Sequence, residues 1–556
     1  MKKKIIFFLF SFFSILIKQA WSDDIYQSIQ PEKSSEVKIE KSLKSGTFKN
    51  FVVVTANDYA TKIGYDILEK GGTVADAAVA IQLTLGLVEP QSSGLGGGIF
   101  LTYYNKKTNK TVSFDGREKA PKIFKENIFL NKDGNPKRFF EAVVGGSSVG
   151  TPSTLKTLYS FHKSYGRLDW SEVIKPVIEF SSNGFFPPDR LINAVNKEKY
   201  LFSIYPDSIY KSIKTNPKKK FFNNDYTKTL EIISENMQSF YEGRIAQDIV
   251  SVVNESNNPG FLNLDDLKLY IPERKAALCK TLKNNYKICG PSLPSSGTIC
   301  IIQALILYEF YEEKLKNNVD ELLEILNFVY SIRDDQLADP KFVDVNIEKL
   351  LNEKYLVETY EKFKKLKKKS FIHNFEEVFS STTHFSLVDK FNNVLSATSS
   401  IESSFGSRLF TNGFFLNNQL TDFSFKITDD SGVLIKNRPQ AEKKPLSSMS
   451  PLIIFDNNEN FYMTVGSPGG KAIISYVFKS LISTLYLNKN IERAINEPNY
   501  IKIKDKIFVE TDSLKDIVKQ NALKRNLTSG LAIIIKKKKK IEAAADSRRD
   551  GTVRGN

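Results

Sequence analysis

The chain has 556 residues, of which 41% are hydrophobic and 12% aromatic. That excludes a disordered polymer and suggests two domains or one large layered unit. Lysine and arginine number 79 against 63 acidic residues, a formal charge of +16, but the lysines are dispersed, with short runs at 218–220, 364–369 and 536–540. A nucleic-acid binder focuses its basic residues on one element with aromatics between them, so dispersal favours a solvated lysine surface.

Residues 1–22 have the pattern of an export signal. Lys2–Lys4 supply the positive start, Ile5–Ile17 an apolar stretch too short to span a bilayer, and Ala20-Trp21-Ser22 a small-x-small cleavage site before Asp23. No cysteine follows the apolar run, and no later segment is apolar enough to span a membrane. The expected mature protein is soluble and periplasmic or secreted. Residues 23–50, polar and lysine-rich, are expected to form a loose arm.

"FVVVTAN" (51–57) has the composition of a buried strand. "DYATKIGYDILEKGG" has helical spacing, with Asp58 as the expected cap and Gly71–Gly72 as the stop. "TVADAAVAIQLTLGLVEP" is apolar nearly all round, which predicts a buried helix. "QSSGLGGGIFLTYYN" is a glycine loop running into a strand; it lacks the GxGxxG spacing and no lysine follows, so a nucleotide site is not indicated. "TVSFDGREKAP" sets Arg117 in a turn after a strand. Residues 150–340 have mostly helical patterning, including the capped "YGRLDWSEVIKPVIEFSSNGF" and the helix "TICIIQALILYEF" after the loop "GPSLPSSG". Residues 343–381 turn polar, a solvated helix and a link where the chain is open to cleavage.

From Thr382 the patterning changes to strands. "THFSLVD" and "NVLSATSS" alternate around "KFNN", and "PLIIF" and "FYMTVGS" flank "DNNEN", giving two hairpins. "GGKAIISYVFKSLISTLY" suggests an amphipathic helix, and "FVETDSL" and "GLAIIIK" further strands. The expected class is α+β, with sheets sandwiched by helices.

The cysteines are Cys279, Cys289 and Cys300. "LCKTLKNNYKIC" predicts two short strands that would set Cys279 opposite Cys289; three free thiols remain the alternative, because sequence cannot fix connectivity. Cys300, in an apolar run, is expected to be a buried thiol. Three histidines and three cysteines give no metal-ligand spacing, and no cofactor is expected.

Thr382 and Thr383 head a strand, where β-branched residues are common for structural reasons. Thr382 has a second reading. If the bond from Ser381 to Thr382 is cut, Thr382 gains an α-amine with a pKa of about 7.7–8.0. That amine can take the hydroxyl proton directly or through water, so no Ser-His-Asp arrangement is needed. His384, on the same strand, is expected to pack or hydrogen-bond rather than act as a base.

"GGTVADAAVA", "SSGLGGG", "DGREKAP", "TTHFSLVD", "LNNQLTDFS", "PLSSMSP", "GSPGG" and "AAADSRRDG" occur in that order. Together they resemble the γ-glutamyltranspeptidase (glutathione hydrolase) family from about residue 50 to 551, with residues 190–285 and 305–375 matching loosely. The resemblance implies an N-terminal-nucleophile hydrolase fold with two central sheets between helical layers. It implies a precursor that cleaves itself into a large subunit (23–381) and a small one (382–556), which pair as a heterodimer. Thr382 would form a γ-glutamyl ester with glutathione or a related compound, released to water or to an acceptor amino acid or peptide.

The roles implied residue by residue are these. Arg117 pairs with the substrate α-carboxylate, which Ser447 and Ser448 also hydrogen-bond. Asp422 holds the α-ammonium, with Gln419 and Glu402 as further contacts; Glu402 is Asn in some relatives. Gly469 and Gly470 form the oxyanion hole. Ser400 stands where a threonine usually contacts the nucleophile. Two departures are visible: "FSFKITDDSGVLIKNRPQAEKKPL", between Asp422 and Ser447, has no Tyr or Trp with which to close a lid, and "GPSLPSSG" lacks the family's proline run and second terminal glycine, a difference expected to affect packing more than chemistry. The alternatives are a glutaryl or cephalosporin acylase of the same fold and a non-catalytic γ-glutamyl peptide binding protein. Neither nucleic acid nor a membrane span after signal removal is expected.

Overall fold

The computed structural model describes residues 44–315, 318–366, 381–503, 506–518 and 520–556. The export signal, the arm up to residue 43, and residues 367–380 of the link lie outside them.

Two seven-stranded sheets dominate the described chain. The first runs, edge to edge, Thr552–Gly555, Val52–Thr55, Ser381–Val388, Val394–Glu402, Gly98–Asn105, Lys110–Gly116 and Glu273–Ala276. The second runs Ser45–Phe48, Lys540–Ala545, Ala532–Lys537, Phe461–Gly466, Leu452–Phe455, Lys287–Gly290 and Leu278–Thr281. All neighbours within both sheets are antiparallel.

Strand alternation assigns each face. Val53, Phe385, Leu387, Leu395 and Ala397 pack outward against the buried helix Val74–Val88 and its neighbours. Val52, Val54, Val388 and Val394 point inward and meet Ile453, Ile534 and Ala543 of the second sheet. The outer face of the second sheet packs on the helices Gly297–Phe310, Val319–Gln336 and Ile473–Leu481. The result is four layers, helix–sheet–sheet–helix, as expected. Along Ser381–Val388 the inward face changes character. It is apolar at Val388 but carries Ser386, His384 and Thr382 toward the other end, all buried. His384 is met across the sandwich by Gly466, where a Cβ would lie 2.2 Å from the ring.

Several local expectations are corrected. Helix Asp58–Glu69 is capped by Asn57, whose Oδ1 accepts from the Tyr59 N–H at 3.1 Å; Asp58 instead falls in the first turn and pairs with Arg554 at 3.0 Å. Helix Ile473–Leu481 is buried on every side rather than amphipathic, because it lies inside the second helical layer. Its Lys479 is buried too; Nζ donates to Glu497 O (2.6 Å) and Asn499 Oδ1 (2.8 Å), and burial lowers its pKa to about 7. "FVETDSL" divides into the end of strand Lys506–Val509 and the start of helix Asp512–Ile517, capped by Thr511. Cys279 and Cys289 are directly opposed across an antiparallel pair and joined by a disulfide, while Cys300 is free and buried.

Candidate active site

Thr382 sits at the mouth of the sandwich on a strand flanked on both sides, and is 1% exposed. Its Oγ1 lies 3.2 Å from Ser400 Oγ on the neighbouring strand. The Ser400 hydroxyl donates to the carbonyl of Ser381 at 3.0 Å and accepts from the Glu402 N–H at 2.8 Å. Having used its one proton on that carbonyl, Ser400 is left to accept from Thr382. The three contacts therefore align the threonine hydroxyl, a relay oxygen and the carbonyl preceding the nucleophile. The methyl that Ser400 lacks is not needed for this contact.

The backbone here is irregular. Thr382 opposes Ser400 and Ser381 opposes Glu402, so Ile401 is an extra residue in the ladder. Immediately beyond it the chain turns sharply, with Glu402 (φ 76°), Phe405 (φ 59°) and Arg408 (φ 64°) in the left-handed region. Such non-glycine residues cost on the order of 1–3 kcal/mol each and cluster at functional sites. On the other side, Arg549 Nη1 donates to the Thr382 carbonyl at 2.9 Å. Its side chain passes so close to Gly530 that a Cβ there would lie 2.6 Å from Arg549 Cδ and 2.7 Å from Pro468 Cγ. Gly530 thus stands between Arg549 and Pro468, at the start of the Pro468–Gly470 turn. Gly469 and Gly470 in that turn have φ of 130° and 56°, and a side chain on Gly469 would strike the Tyr476 ring at 2.6 Å. His384, on the same strand, is engaged elsewhere. His384 bonds Thr398 Oγ1 (2.8 Å) and Ser386 Oγ (3.2 Å), and burial lowers its pKa to about 3.

A second group of residues carries charge. Arg117 follows strand Lys110–Gly116 and is wholly buried. Nε donates to Pro445 O (2.9 Å), and Nη2 to both Leu446 O (2.6 Å) and Asp422 Oδ2 (2.6 Å). Among the described residues Nη1 makes no hydrogen bond; Glu118 Oε2 stands 3.7 Å away. Gln419 Nε2 also donates to Asp422 Oδ2, at 2.7 Å, and the Asp422 side chain is 33% exposed. Glu402 receives Ser403 Oγ (2.6 Å) and Asn418 Nδ2 (2.5 Å), both on Oε2. Burial, and then the Asp422 charge, push its pKa up; the two donors oppose that shift. Glu118 is buried with no hydrogen bond to either oxygen among the described residues, and burial raises it to about 8 against the pull of Arg117.

Ser447 and Ser448 lie next to the carbonyls that hold Arg117. The Ser447 backbone is clamped by the loop before helix Gly297–Phe310: its N–H donates to Pro294 O (2.9 Å) and its carbonyl accepts from Ser296 N (2.8 Å) and Ser296 Oγ (2.6 Å). The altered "GPSLPSSG" loop thus positions a candidate binding residue, beyond the packing role expected of it. Ser448 Oγ is buried without a partner among the described residues. The segment between Asp422 and Ser447 is tied back at its base. Asn437 Nδ2 donates to Asp422 O (2.8 Å) and its Oδ1 accepts from Leu446 N (3.1 Å), while Lys444 Nζ pairs with Asp115 at 2.9 Å beneath Arg117.

Two groups therefore emerge from the ten candidate residues: Thr382 with Ser400, and Arg117, Asp422, Gln419 and Glu402 with the serine pair; Gly469 and Gly470 form a separate turn. Sequence reasoning named Ser381 only as the residue before the cut and missed Ser92, Glu118 and Arg549 as individual contributors. These three lie inside the blocks "QSSGLGGGIFLTYYN", "DGREKAP" and "AAADSRRDG", whose other residues carry the motif.

Stacked antiparallel sheets between helical layers, with a hydroxyl residue at the head of a central strand facing the second sheet, define the N-terminal-nucleophile hydrolase fold. The solved cephalosporin acylase from Bacillus halodurans shares it, with a TM-score of 0.79 at 19% identity over 94% of this chain and 99% of that one. More narrowly, the gamma-glutamyltranspeptidase family model matches residues 60–555, and the chain belongs to that family, whose nucleophile is an N-terminal threonine. It is 32% identical over 482 residues to a glutathione hydrolase proenzyme of Bacillus subtilis, spanning 81% of this chain and 80% of the relative. It is 30% identical over 535 residues to the glutathione hydrolase proenzyme of Escherichia coli, spanning 90% of each. The solved gamma-glutamyltranspeptidase of Helicobacter pylori aligns at a TM-score of 0.51 and 27% identity, over 59% of this chain and 93% of that chain.

Proposed function

We propose that the protein is an exported proenzyme that cuts its own Ser381–Thr382 bond and then, as a large subunit ending at Ser381 paired with a small one beginning at Thr382, hydrolyses or transfers γ-glutamyl groups from glutathione and related compounds. The observation that carries this is the Ser400 hydroxyl, 3.0 Å from the Ser381 carbonyl oxygen and 3.2 Å from Thr382 Oγ1.

In self-cleavage Thr382 Oγ1 bonds to the Ser381 carbonyl carbon and its proton moves to Ser400. Ser400 donates its own proton toward the oxygen that becomes negative. As the tetrahedral centre collapses, the proton given up by Thr382 passes by way of Ser400 to the Thr382 nitrogen, the carbon–nitrogen bond breaks and the amine is freed; water then splits the ester to leave a carboxylate on Ser381 and the hydroxyl on Thr382. Turnover reuses the same oxygen, with the freed amine as its base. Attack on a γ-carbonyl develops charge that the Gly469 and Gly470 N–H groups receive. The departing amine takes the proton, and water or an acceptor amine releases the γ-glutamyl group.

The charged group selects the substrate. Arg117 Nη1 and the hydroxyls of Ser447 and Ser448 accept the α-carboxylate; Asp422 and Glu402, each holding its protein donors on a single oxygen, offer the other to the α-ammonium, with Gln419 orienting Asp422. A pocket that demands both charges of an amino acid favours γ-glutamyl compounds over the acyl side chains of cephalosporins. Two further points support the reading. The B. subtilis and E. coli relatives are named proenzymes, and the H. pylori chain aligns almost whole to little more than half of this one. N-terminal sequencing of the smaller fragment of purified protein is the test. The expected first residue is Thr382; a single unbroken active chain would overturn the proposal.

A further inference from the structure

A precursor that cleaves itself must hold the scissile residue as well as the nucleophile. The ladder is irregular at Ser381: it opposes Glu402, but the extra residue Ile401 separates that pair from Thr382 and Ser400. Two other contacts add to the pairing. The Ile401 N–H turns to the carbonyl of Ser92 at 3.2 Å, which fixes Ser92 to the strand that carries Ser400 and Glu402. Ser92 Oγ in turn lies 3.0 Å from Ser381 Oγ. Both serines are 0% exposed, so water does not compete for either hydroxyl. The interruption in the ladder and the hydroxyl contact are one construction: the bulge frees the N–H that anchors Ser92, and Ser92 adds a side-chain contact to the residue beside the bulge.

We infer that Ser92 is a positioning residue for self-cleavage, holding the Ser381 side chain so that its carbonyl carbon stays within reach of Thr382 Oγ1 and its carbonyl oxygen stays on Ser400. This rests on the self-processing reading above. The contact bears on the scissile carbonyl only while Ser381 is joined to Thr382. After cleavage Ser381 is a chain end, and the turnover machinery of Thr382, its amine and the glycine turn does not include Ser92. The device therefore acts once in the life of each molecule. The class of residue accepted before Thr382 follows from it: small and hydroxyl-bearing.

The test is a pulse-chase of the full-length chain synthesised in a cell-free system, with the appearance of the smaller fragment followed on denaturing gels. Wild type, Ser92→Ala, Ser381→Ala and the double variant are compared. One hydrogen bond of ordinary strength corresponds to about a three- to tenfold change in rate. Both single variants should slow cleavage by that factor, and the double variant should be no slower than either, because both remove the same contact. Once fully cleaved, Ser92→Ala should match wild type in melting temperature and in kcat/KM on a γ-glutamyl anilide. A purely structural role would lower both. Ser92→Ala cleaving at the wild-type rate, or single effects that multiply in the double variant, would overturn the inference while leaving the self-processing reading intact. A wild-type chain that never yields the fragment would overturn that reading itself, and this inference with it.

Discussion

The two halves of the candidate site solve opposite electrostatic problems. Around the Thr382 hydroxyl the contacts are uncharged hydroxyls and amides: Ser400, and through it the Ser381 carbonyl and the Glu402 N–H, with Arg549 held off on the Thr382 carbonyl. Around Arg117 the groups are titratable: Asp422 at 2.6 Å, Glu118 at 3.7 Å and Glu402 close enough for the Asp422 charge to raise its pKa. Neutral hydroxyls can be buried completely when hydrogen-bonded, and they pass a proton without stabilising any one charged state. Charges need compensation or an opening to water, and Asp422 has both, with Arg117 on one side and 33% exposure of its side chain. The contrast matches the proposed division, in which the first half makes and breaks the acyl bond and the second chooses the acyl group.

Thr382→Ala should break the first half entirely, leaving one uncleaved chain with no turnover on denaturing gels and in an anilide assay. Arg117→Ala should strike the second half. Removing one partner of a buried charge pair costs about 3–5 kcal/mol, so kcat/KM for a γ-glutamyl anilide should fall by at least about a hundredfold. Most of that loss should lie in KM, and a simple acyl anilide lacking the α-charges should be affected far less. Equal losses on both substrates would dissolve the proposed division of labour. Ser400→Ala leaves Thr382 in place but removes the relay. A drop of about ten- to a hundredfold in both self-cleavage and turnover is expected, since a buried partner left unsatisfied costs about 1–3 kcal/mol. Loss of cleavage alone would confine Ser400 to the precursor.

The smallest effect concerns stability and pH. Glu118 is pushed up to about 8 in the folded chain from an ordinary carboxyl value of 4.5, chiefly by burial. The folded protein thus keeps a proton that the unfolded chain releases at lower pH. Stability from this group is fully present below pH 4.5 and declines as pH rises toward 8. Glu118→Gln should therefore gain stability relative to wild type as pH is raised from 5 to 8, by about a kcal/mol or more at the upper end. Thermal melts across that range check the sign. A gap that narrows with rising pH would mean that Arg117 keeps Glu118 ionised.

Much of this was readable in the linear chain. Strand alternation placed Thr382 at the head of a strand, the all-round apolar run at residues 74–88 announced a buried helix, and the ordered motifs carried the family. Local composition suffices there because period and propensity act over a few residues. Asn57 displacing Asp58 as cap, and Lys479 buried in a helix expected to be amphipathic, lay beyond it, since each depends on what packs from elsewhere in the chain.

By itself, then, the order of residues determined the two-sheet class, the identity of the attacking threonine and the chemistry to expect of Arg117 and Asp422. Only the tertiary structure decided that Ser400 reaches the Ser381 carbonyl, that Ser92 reaches across 289 positions to the Ser381 hydroxyl, and that Arg549 grips the Thr382 carbonyl from 167 positions away. The physical reason is range. A side chain's own chemistry is local, but the partner that completes a buried hydroxyl is chosen by sheet register, and one inserted residue at Ile401 is enough to change which groups meet.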